Sequence, residues 1–255
     1  MSLTESRPRR YPNIVLTNTP QDWATKTVTA EKLRHALAAR RPSRTSVRSV
    51  RTGITALDDA GADEGFRGGA VHELLWRSAC PTTLMLLLAE AAQAGGGGIA
   101  WLDPDRELYL PAVAAAGIDL HRLILLRCTD RKQQLWALAE CLRCRSVSAT
   151  VAAVDRLSQI EARRLQLAAE CGGGIGILMR PYRTANADYY AAASRWLIEP
   201  AAGDDLTQRW SVTLIHGGRT NHALLLEVDR DTRALRASPL LADRPFTQEQ
   251  ARATG

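Results

Sequence analysis

The sequence lacks an apolar run long enough to span a bilayer. Its longest run, residues 84–92, is interrupted by Glu90 and is far shorter than the roughly 20 residues that a membrane helix needs. No apolar core follows the arginines near the N-terminus, so we expect no signal peptide. These absences predict a cytoplasmic protein.

A regular set of metal-binding or disulfide-forming residues is also missing. The five cysteines are an odd number without a regular framework, which predicts reduced thiols. Cys141 and Cys144 have the spacing of a zinc knuckle, but they lie in a helical pattern without a second pair, which favours a buried structural role. The five histidines show no metal-ligand spacing. We therefore predict no metal, no cofactor and no catalytic residue.

Positive charge is concentrated at the N-terminal end. Residues 1–51 contain eleven Lys/Arg and three Asp/Glu, a net charge of +8, whereas the whole chain carries +6, so residues 52–255 carry −2. Such an arm suits nucleic acid or an acidic partner surface. The alternative is a solvated, partly disordered tail. The arginines predicted to contact DNA or a partner are Arg7, Arg9, Arg10, Arg40, Arg41, Arg44 and Arg48.

From residue 52 onwards, short apolar strands alternate with helical patterns, which predicts a mostly parallel sheet with helices on both faces, an α/β fold. Ser158 and Glu161 have the spacing of a capping box. The predicted strands are residues 71–75, 99–103, 123–127, 149–154 and 175–179, and the predicted helices are 82–94, 108–116, 131–143 and 158–171.

Three further strands predict an antiparallel extension of this sheet. They are residues 192–199, 209–216 and 222–229, and the last two are joined by a hairpin connection at 217–221. The resulting division is a basic, partly disordered segment at 1–50 with one helix (29–41), a domain at 51–235, and a polar tail at 236–255.

The segment between the first strand and its helix lies where a phosphate-binding loop of the form GxxxxGK[ST] is expected. Trp76 and Pro81 occupy the two glycine positions, Thr82 the lysine position, and only Thr83 keeps the hydroxyl. Pro81 has no N–H to donate, and losing one charge-assisted hydrogen bond costs about 1.5–3 kcal/mol. We therefore expect no tight ATP binding. The alternative is a non-standard anion site formed by Arg77, Thr82 and Thr83.

Two carboxylates follow predicted strands at positions where an ATPase needs them. Asp155 follows the 149–154 strand, the usual place of the magnesium-binding acid. Asp105 follows the 99–103 strand, where a water-activating carboxylate could lie. Without a phosphate cradle neither has a substrate, so we favour the alternative that each caps a following helix or turn.

In chain order, five segments resemble parts of the RecA-like ATPase core: residues 51–58, 76–83, 102–105, 154–155 and 193–197. The chain more closely resembles the ImuA family, through residues 69–74, 101–104, 135–144 and 163–170. The resemblance covers about residues 50–230. It implies a RecA-like fold and an accessory role in SOS-induced, error-prone translesion DNA synthesis. The partners it implies are an ImuB-like inactive Y-family polymerase homologue, an error-prone replicative-type polymerase and RecA.

The chain departs from RecA where RecA contacts DNA and neighbouring subunits. Little room is left for a first DNA-binding loop after Asp155, and the second is short, with Arg180 and Arg183 as candidate DNA or partner contacts. His216 and Gly218 stand where RecA has two cross-subunit lysines. We therefore expect a non-catalytic scaffold. The alternatives are an atypical nucleotide-dependent recombinase paralogue and a cell-division inhibitor of the SulA type.

Overall fold

The computed structural model describes residues 49–78, 81–128, 130–185, 191–203, 207–218, 222–229 and 235–238. The predicted helix at 29–41 and the candidate contact arginines from Arg7 to Arg48 lie outside these residues. Of the 236–255 segment, only residues 236–238 are described.

Nine strands of the described chain form one sheet, whose parallel part comes first in the sequence. The strands are β3 (Ala70–Trp76), β4 (Gly98–Leu102), β5 (Leu123–Leu126), β6 (Val147–Ala153), β7 (Ile175–Pro181), β8 (Ser194–Ala201), β9 (Thr207–His216), β10 (His222–Asp229) and β11 (Leu235–Ser238). Their order is β11-β10-β9-β8-β3-β7-β6-β4-β5. The six strands from β8 to β5 are parallel, and β9, β10 and β11 are antiparallel to their neighbours. The predicted α/β class, with its antiparallel extension, is confirmed.

Helices cover both faces of the parallel strands. They are α1 (Thr55–Ala60), α2 (Thr82–Ala94), α3 (Leu110–Ala115), α4 (Arg131–Arg143), α5 (Gln159–Gly172) and the single turn α6 (Tyr182–Ala185). Alternate strand residues point to opposite faces. In β3, Leu74 packs with α1, α2 and α3, whereas Val71 packs with α4 and α5. Strand β3 therefore lies inside the core, and its carboxyl end is the centre of one edge of the sheet.

The segment before β3 folds around one buried carboxylate. Asp58, in α1, accepts hydrogen bonds from the main-chain N–H of Thr52 (2.8 Å) and Gly53 (3.1 Å) and from the Thr52 hydroxyl (2.9 Å). Gly53 has φ +80°, a conformation that side chains disfavour. The first RecA-like segment therefore has a structural role here, in closing the turn that precedes α1. A two-stranded ribbon of β1 (Ser49–Val50) and β2 (Phe66–Arg67) frames this segment.

The helices at 82–94 and 131–143 begin and end at the predicted residues. The helix predicted at 108–116 is shorter, because the buried Asp103 accepts from the N–H groups of Glu107 and Leu108 and holds them in a turn. Strand β11 was not predicted, and it crosses the expected domain boundary at residue 235. None of the described helices is long and apolar enough to cross a membrane.

Candidate functional site at the carboxyl edge of the sheet

The carboxyl ends of the parallel strands bring several predicted site residues to one edge. In open α/β sheets this edge is the usual place for a ligand. The connections that meet there follow β3, β4, β6 and β7. The first joins Trp76, the last residue of β3, to Thr82 and Thr83 at the start of α2, and the others contain Asp105, Asp155 and Arg183. The topology therefore places together the residues whose spacing suggested a nucleotide site.

The connection from β3 to α2 has a proline at the start of the helix. Strand β3 ends at the half-buried Trp76, and α2 begins at the exposed Thr82. Pro81 is the N-cap residue, with φ −81° and ψ 48°, and it makes no side-chain capping hydrogen bond. Because proline lacks an N–H, one of the donors that could face an anion is missing at this helix end.

Arg77 is the cation of this connection, and it is held by its neighbours. Its Nε lies 3.0 Å from Oε1 of Glu199, which belongs to β8. Its guanidinium carbon lies 4.2 Å from the centroid of the Tyr182 ring. The side chain is 46% exposed, so water weakens both contacts. Arg77 thus tethers β3 to β8 and α6, and an anion here would compete with Glu199.

Neither predicted acid caps the element that follows it. Asp155 is exposed, and the cap of α5 is Ser158, whose side chain accepts from the N–H of Glu161 in a complete capping box. Asp105 is exposed too, and the turn after β4 is instead closed by Asp103. The capping alternative is therefore wrong for both residues. Among the described residues, no ion pair joins Asp155 or Asp105 to a basic side chain.

Ion pairing fixes the α5 cap as well. Arg131 of α4 donates to both carboxylate oxygens of Glu161, at 2.7 and 3.0 Å. This pair, with the bonds from Ser158, lowers the pKa of Glu161 to about 2. The start of α5 and the connection after β6 are thereby tied to α4.

A buried ion cluster, formed by Glu73, Arg180 and Arg195, lies beneath this edge. Glu73 Oε1 accepts from Arg180 Nη1 at 2.9 Å, and Oε2 accepts from Arg195 Nε at 2.8 Å. The exposed fractions of the three side chains are 2%, 0% and 6%. Buried charges of this kind are tolerated only when paired, and one carboxylate here serves two guanidinium groups.

The two arginines also fix the backbone of the edge. Arg195 Nη2 donates to the carbonyl of Ala185 at 2.7 Å, and Arg180 Nη2 donates to that of Asp155 at 3.4 Å. The Asp155 carbonyl further accepts from the Thr184 hydroxyl at 3.0 Å. The connections after β6 and β7 are therefore both anchored on Glu73.

This cluster was missed by the sequence reasoning, although a signal for it exists. Glu73, Arg180 and Arg195 each stand inside an apolar strand, where an unpaired charge would be too costly. The expectation that Arg180 contacts DNA or a partner is corrected, because its side chain is 0% exposed and engaged by Glu73. Arg183 is exposed on α6 and remains a candidate contact.

A comparison of folds defines the class of the protein. The crystal structure of the RadB recombinase matches 74% of this chain and 99% of its own, with a TM-score of 0.56 and 15% sequence identity. At that identity the likeness concerns the fold alone. The chain thus has the RecA-like fold, as the sequence resemblance indicated.

Within this class the sequence relatives are more specific. The chain is a homologue of Protein ImuA from Caulobacter vibrioides, 33% identical over 141 residues, which are 49% of this chain and 58% of that protein. It therefore spans little more than half of this relative. Cell division inhibitor SulA of Serratia marcescens is 25% identical over 123 residues, which are 48% of this chain and 73% of SulA. SulA of Klebsiella aerogenes is 29% identical over 119 residues, which are 45% of this chain and 70% of that SulA. No family model matches the chain.

Proposed function

We propose that this protein is a non-catalytic RecA-like scaffold in SOS-induced, error-prone translesion DNA synthesis. Its partners in this proposal are an ImuB-like inactive polymerase homologue and an error-prone replicative-type polymerase, with RecA as a further contact. Homology to ImuA supports the proposed role in SOS-induced translesion DNA synthesis. The observation that carries the non-catalytic part is the β3–α2 connection, in which Pro81 takes the N-cap and Arg77 is paired with Glu199 and Tyr182.

The chemistry of ATP hydrolysis has little support at this edge. A phosphate cradle needs several main-chain N–H groups and a lysine directed at one anion. Residues 76–83 contain no lysine, and Trp76 and Pro81 stand at the glycine positions. Asp155 and Asp105 are exposed, but a magnesium-binding or water-activating role would require a bound phosphate. We infer a degenerate loop and a pseudo-ATPase.

Nucleotide binding is the direct test of this inference. Isothermal titration calorimetry with Mg-ATP should give no dissociation constant below about 1 mM, and the ATPase rate should equal that of the Asp155→Ala variant. Micromolar ATP affinity that is abolished by Asp155→Ala would favour the atypical recombinase paralogue. The scaffold role itself is tested by co-purification with the ImuB-like protein of the same genome and by damage-induced mutation frequency after deletion of the gene.

Similarity to SulA favours division inhibition as the second candidate, because the chain matches 73% of the length of that protein. Expression in bacterial cells separates the two functions. A division inhibitor should produce filaments without any partner from the mutagenesis cassette. A scaffold should leave cell length unchanged and should restore damage-induced mutation in a strain lacking its own homologue.

The basic N-terminal segment supports direct DNA contact as a further part of this proposal. A net charge of +8 on residues 1–51 would displace counterions from a phosphate backbone, so affinity for single-stranded DNA should fall steeply with salt. Deleting residues 1–48 should abolish most of this affinity in a fluorescence anisotropy titration. If the truncated chain binds equally well, DNA contact through this segment is excluded.

A further inference from the structure

Helix α5 carries an apolar and basic surface that none of the described elements covers. Three large hydrophobic side chains of the described residues are exposed, and two of them, Ile160 (72%) and Leu167 (45%), belong to this helix. Their spacing of seven residues, about two helical turns, puts them on the same face. A groove of about 870 Å³ runs along this face and extends towards Arg143 of α4.

The charge around the two aliphatic side chains is positive. Arg163 and Arg164 lie between them on α5, exposed, and neither forms an ion pair with a described residue. The acids of the helix are engaged elsewhere: Glu161 binds Arg131, and Glu170 accepts from Gln166 at 3.0 Å. An occupant of this groove would therefore meet, beside apolar surface, two guanidinium groups that no carboxylate of the described residues neutralises.

The helix is a rigid support for this surface. Its inner face is buried, and Gln166 reaches into the sheet to accept from the N–H of Val71 at 3.0 Å. At its carboxyl end, Gly172 lies so close to α4 that an added Cβ would come within 1.9 Å of the Leu142 carbonyl. The capping box holds the other end. Substitutions on the exposed face should therefore change the surface without unfolding the helix.

We propose that this α5 groove is the docking surface for an acidic amphipathic helix of a protein partner. Such a helix presents aliphatic side chains at i, i+3 or i+4 and i+7, the pattern that a groove with Ile160 and Leu167 accommodates. Its Asp and Glu residues would pair with Arg163 and Arg164, and also compete for Arg143. A nucleic-acid backbone would use the arginines but gain nothing from the two aliphatic side chains. The proposal rests on the scaffold function in that it requires a protein partner.

Selection from a random library of 16-residue peptides tests whether the groove binds such a helix, and it does not require the partner protein to be known. Peptides enriched on the wild-type chain should combine Leu, Ile, Met or Phe with Asp and Glu at helical spacing. Their affinity, measured by fluorescence anisotropy, should fall at least tenfold in the double variant Ile160→Ser, Leu167→Ser and in the double variant Arg163→Glu, Arg164→Glu. Tenfold corresponds to about 1.4 kcal/mol. The controls Tyr109→Ser and Lys132→Glu alter exposed residues outside the groove and should bind as wild type.

A second readout uses the unaltered protein. Cys171 is exposed on the groove rim, one turn beyond Leu167, so a bound peptide should slow its alkylation by iodoacetamide, whereas Cys128 should react at an unchanged rate. The proposal is overturned if no peptides are enriched, if the enriched peptides lack acidic residues, or if they bind the variants as tightly as the wild type. It is also overturned if a bound peptide does not slow the alkylation of Cys171. Single-stranded DNA that protects Cys171 while the peptides do not would assign the surface to nucleic acid. Failure of the wild type to bind the ImuB-like protein would count against the scaffold function and not against the peptide result.

Discussion

Glu73 accepts hydrogen bonds from two buried arginines, so its replacement by glutamine should be among the most destabilising single changes in this chain. The Glu73→Gln side chain keeps the size and one carbonyl oxygen, but it loses the negative charge. Arg180 and Arg195 would then stay almost fully buried but would lose the carboxylate that both of them contact. Breaking a buried ion pair by removing one partner costs about 3–5 kcal/mol, against a total stability of about 5–15 kcal/mol for a typical domain.

Equilibrium unfolding in urea measures this effect. With a slope of about 2 kcal/mol per M, a loss of about 4 kcal/mol lowers the midpoint by about 2 M. The control is Glu64→Gln, which removes an ion pair with Arg51 whose side chains are 72% and 63% exposed and should cost at most about 1 kcal/mol.

The triple variant Glu73→Leu, Arg180→Met, Arg195→Met separates charge from packing. Replacing a whole buried ion cluster by apolar side chains of similar volume is often neutral or stabilising, so the triple variant should be more stable than Glu73→Gln. However, it loses the bonds to the Ala185 and Asp155 carbonyls, so trypsin should cleave after Arg183 faster than in the wild type. A cost below about 1 kcal/mol for Glu73→Gln would refute the view that the cluster holds this edge of the sheet.

Two further predictions concern other buried contacts. Burial lowers the pKa of His72 to about 4, so the neutral ring is favoured in the folded state. The contribution of His72 to the free energy of unfolding should be fully present above pH 6.5 and should fall by about 2 kcal/mol between pH 6.5 and 5. The urea midpoint should fall accordingly in the wild type and stay constant in the His72→Gln variant. The Gly172→Ala variant should lose at least about 2 kcal/mol of stability, because the added Cβ would meet the Leu142 carbonyl. The Gly53→Ala variant, which has open space around the added Cβ but φ +80°, should lose about 1 kcal/mol. Equal urea midpoints for the two variants would contradict the close approach of α4 and α5.

The neutral form of His72 completes a chain of buried hydrogen bonds. Trp196 Nε1 donates to the Ser194 hydroxyl at 2.8 Å, and that hydroxyl lies 2.7 Å from His72 Nδ1. His72 Nε2 lies 3.0 Å from the Arg67 carbonyl and must donate to it. Nδ1 of the neutral ring then accepts from Ser194, and every member is satisfied. Protonation would turn Nδ1 into a donor and would leave the Ser194 proton without this acceptor, but the main cause of the lowered pKa is the burial of the ring.

The periodic elements of the fold were predictable because local chemistry decides them. The capping box of Ser158 and Glu161 and the apolar spacing of residues 131–143 depend on neighbours within one or two helical turns. Strand β11 was missed since its pairing with β10 depends on contacts across the sheet. Asp103 and Asp105 show the same limit, because spacing alone does not tell which acid turns inwards to close the loop.

At the candidate site, the residue types were predictable but their partners were not. Pro81 and Trp76 could be seen in the sequence at the glycine positions. The pairing of Arg77 with Glu199 joins residues more than a hundred positions apart, and the Glu73 cluster joins three strands. Such pairs depend on the order of the strands in the sheet, and local patterns in a single sequence do not reveal that order.

Two sets of ionic contacts bear on whether this edge could respond to a nucleotide. A switch needs an element with two arrangements of similar free energy, biased by ligand contacts. Here the connections after β6 and β7 are bonded to arginines that are almost fully buried against Glu73, and moving either connection would expose or unpair one of these charges. Arg77, by contrast, is half exposed, so its pairing with Glu199 is weak and exchangeable. Among the described contacts of this edge, the one that exchanges most easily is therefore that of Arg77, whereas the carbonyls of Asp155 and Ala185 are held by buried charges.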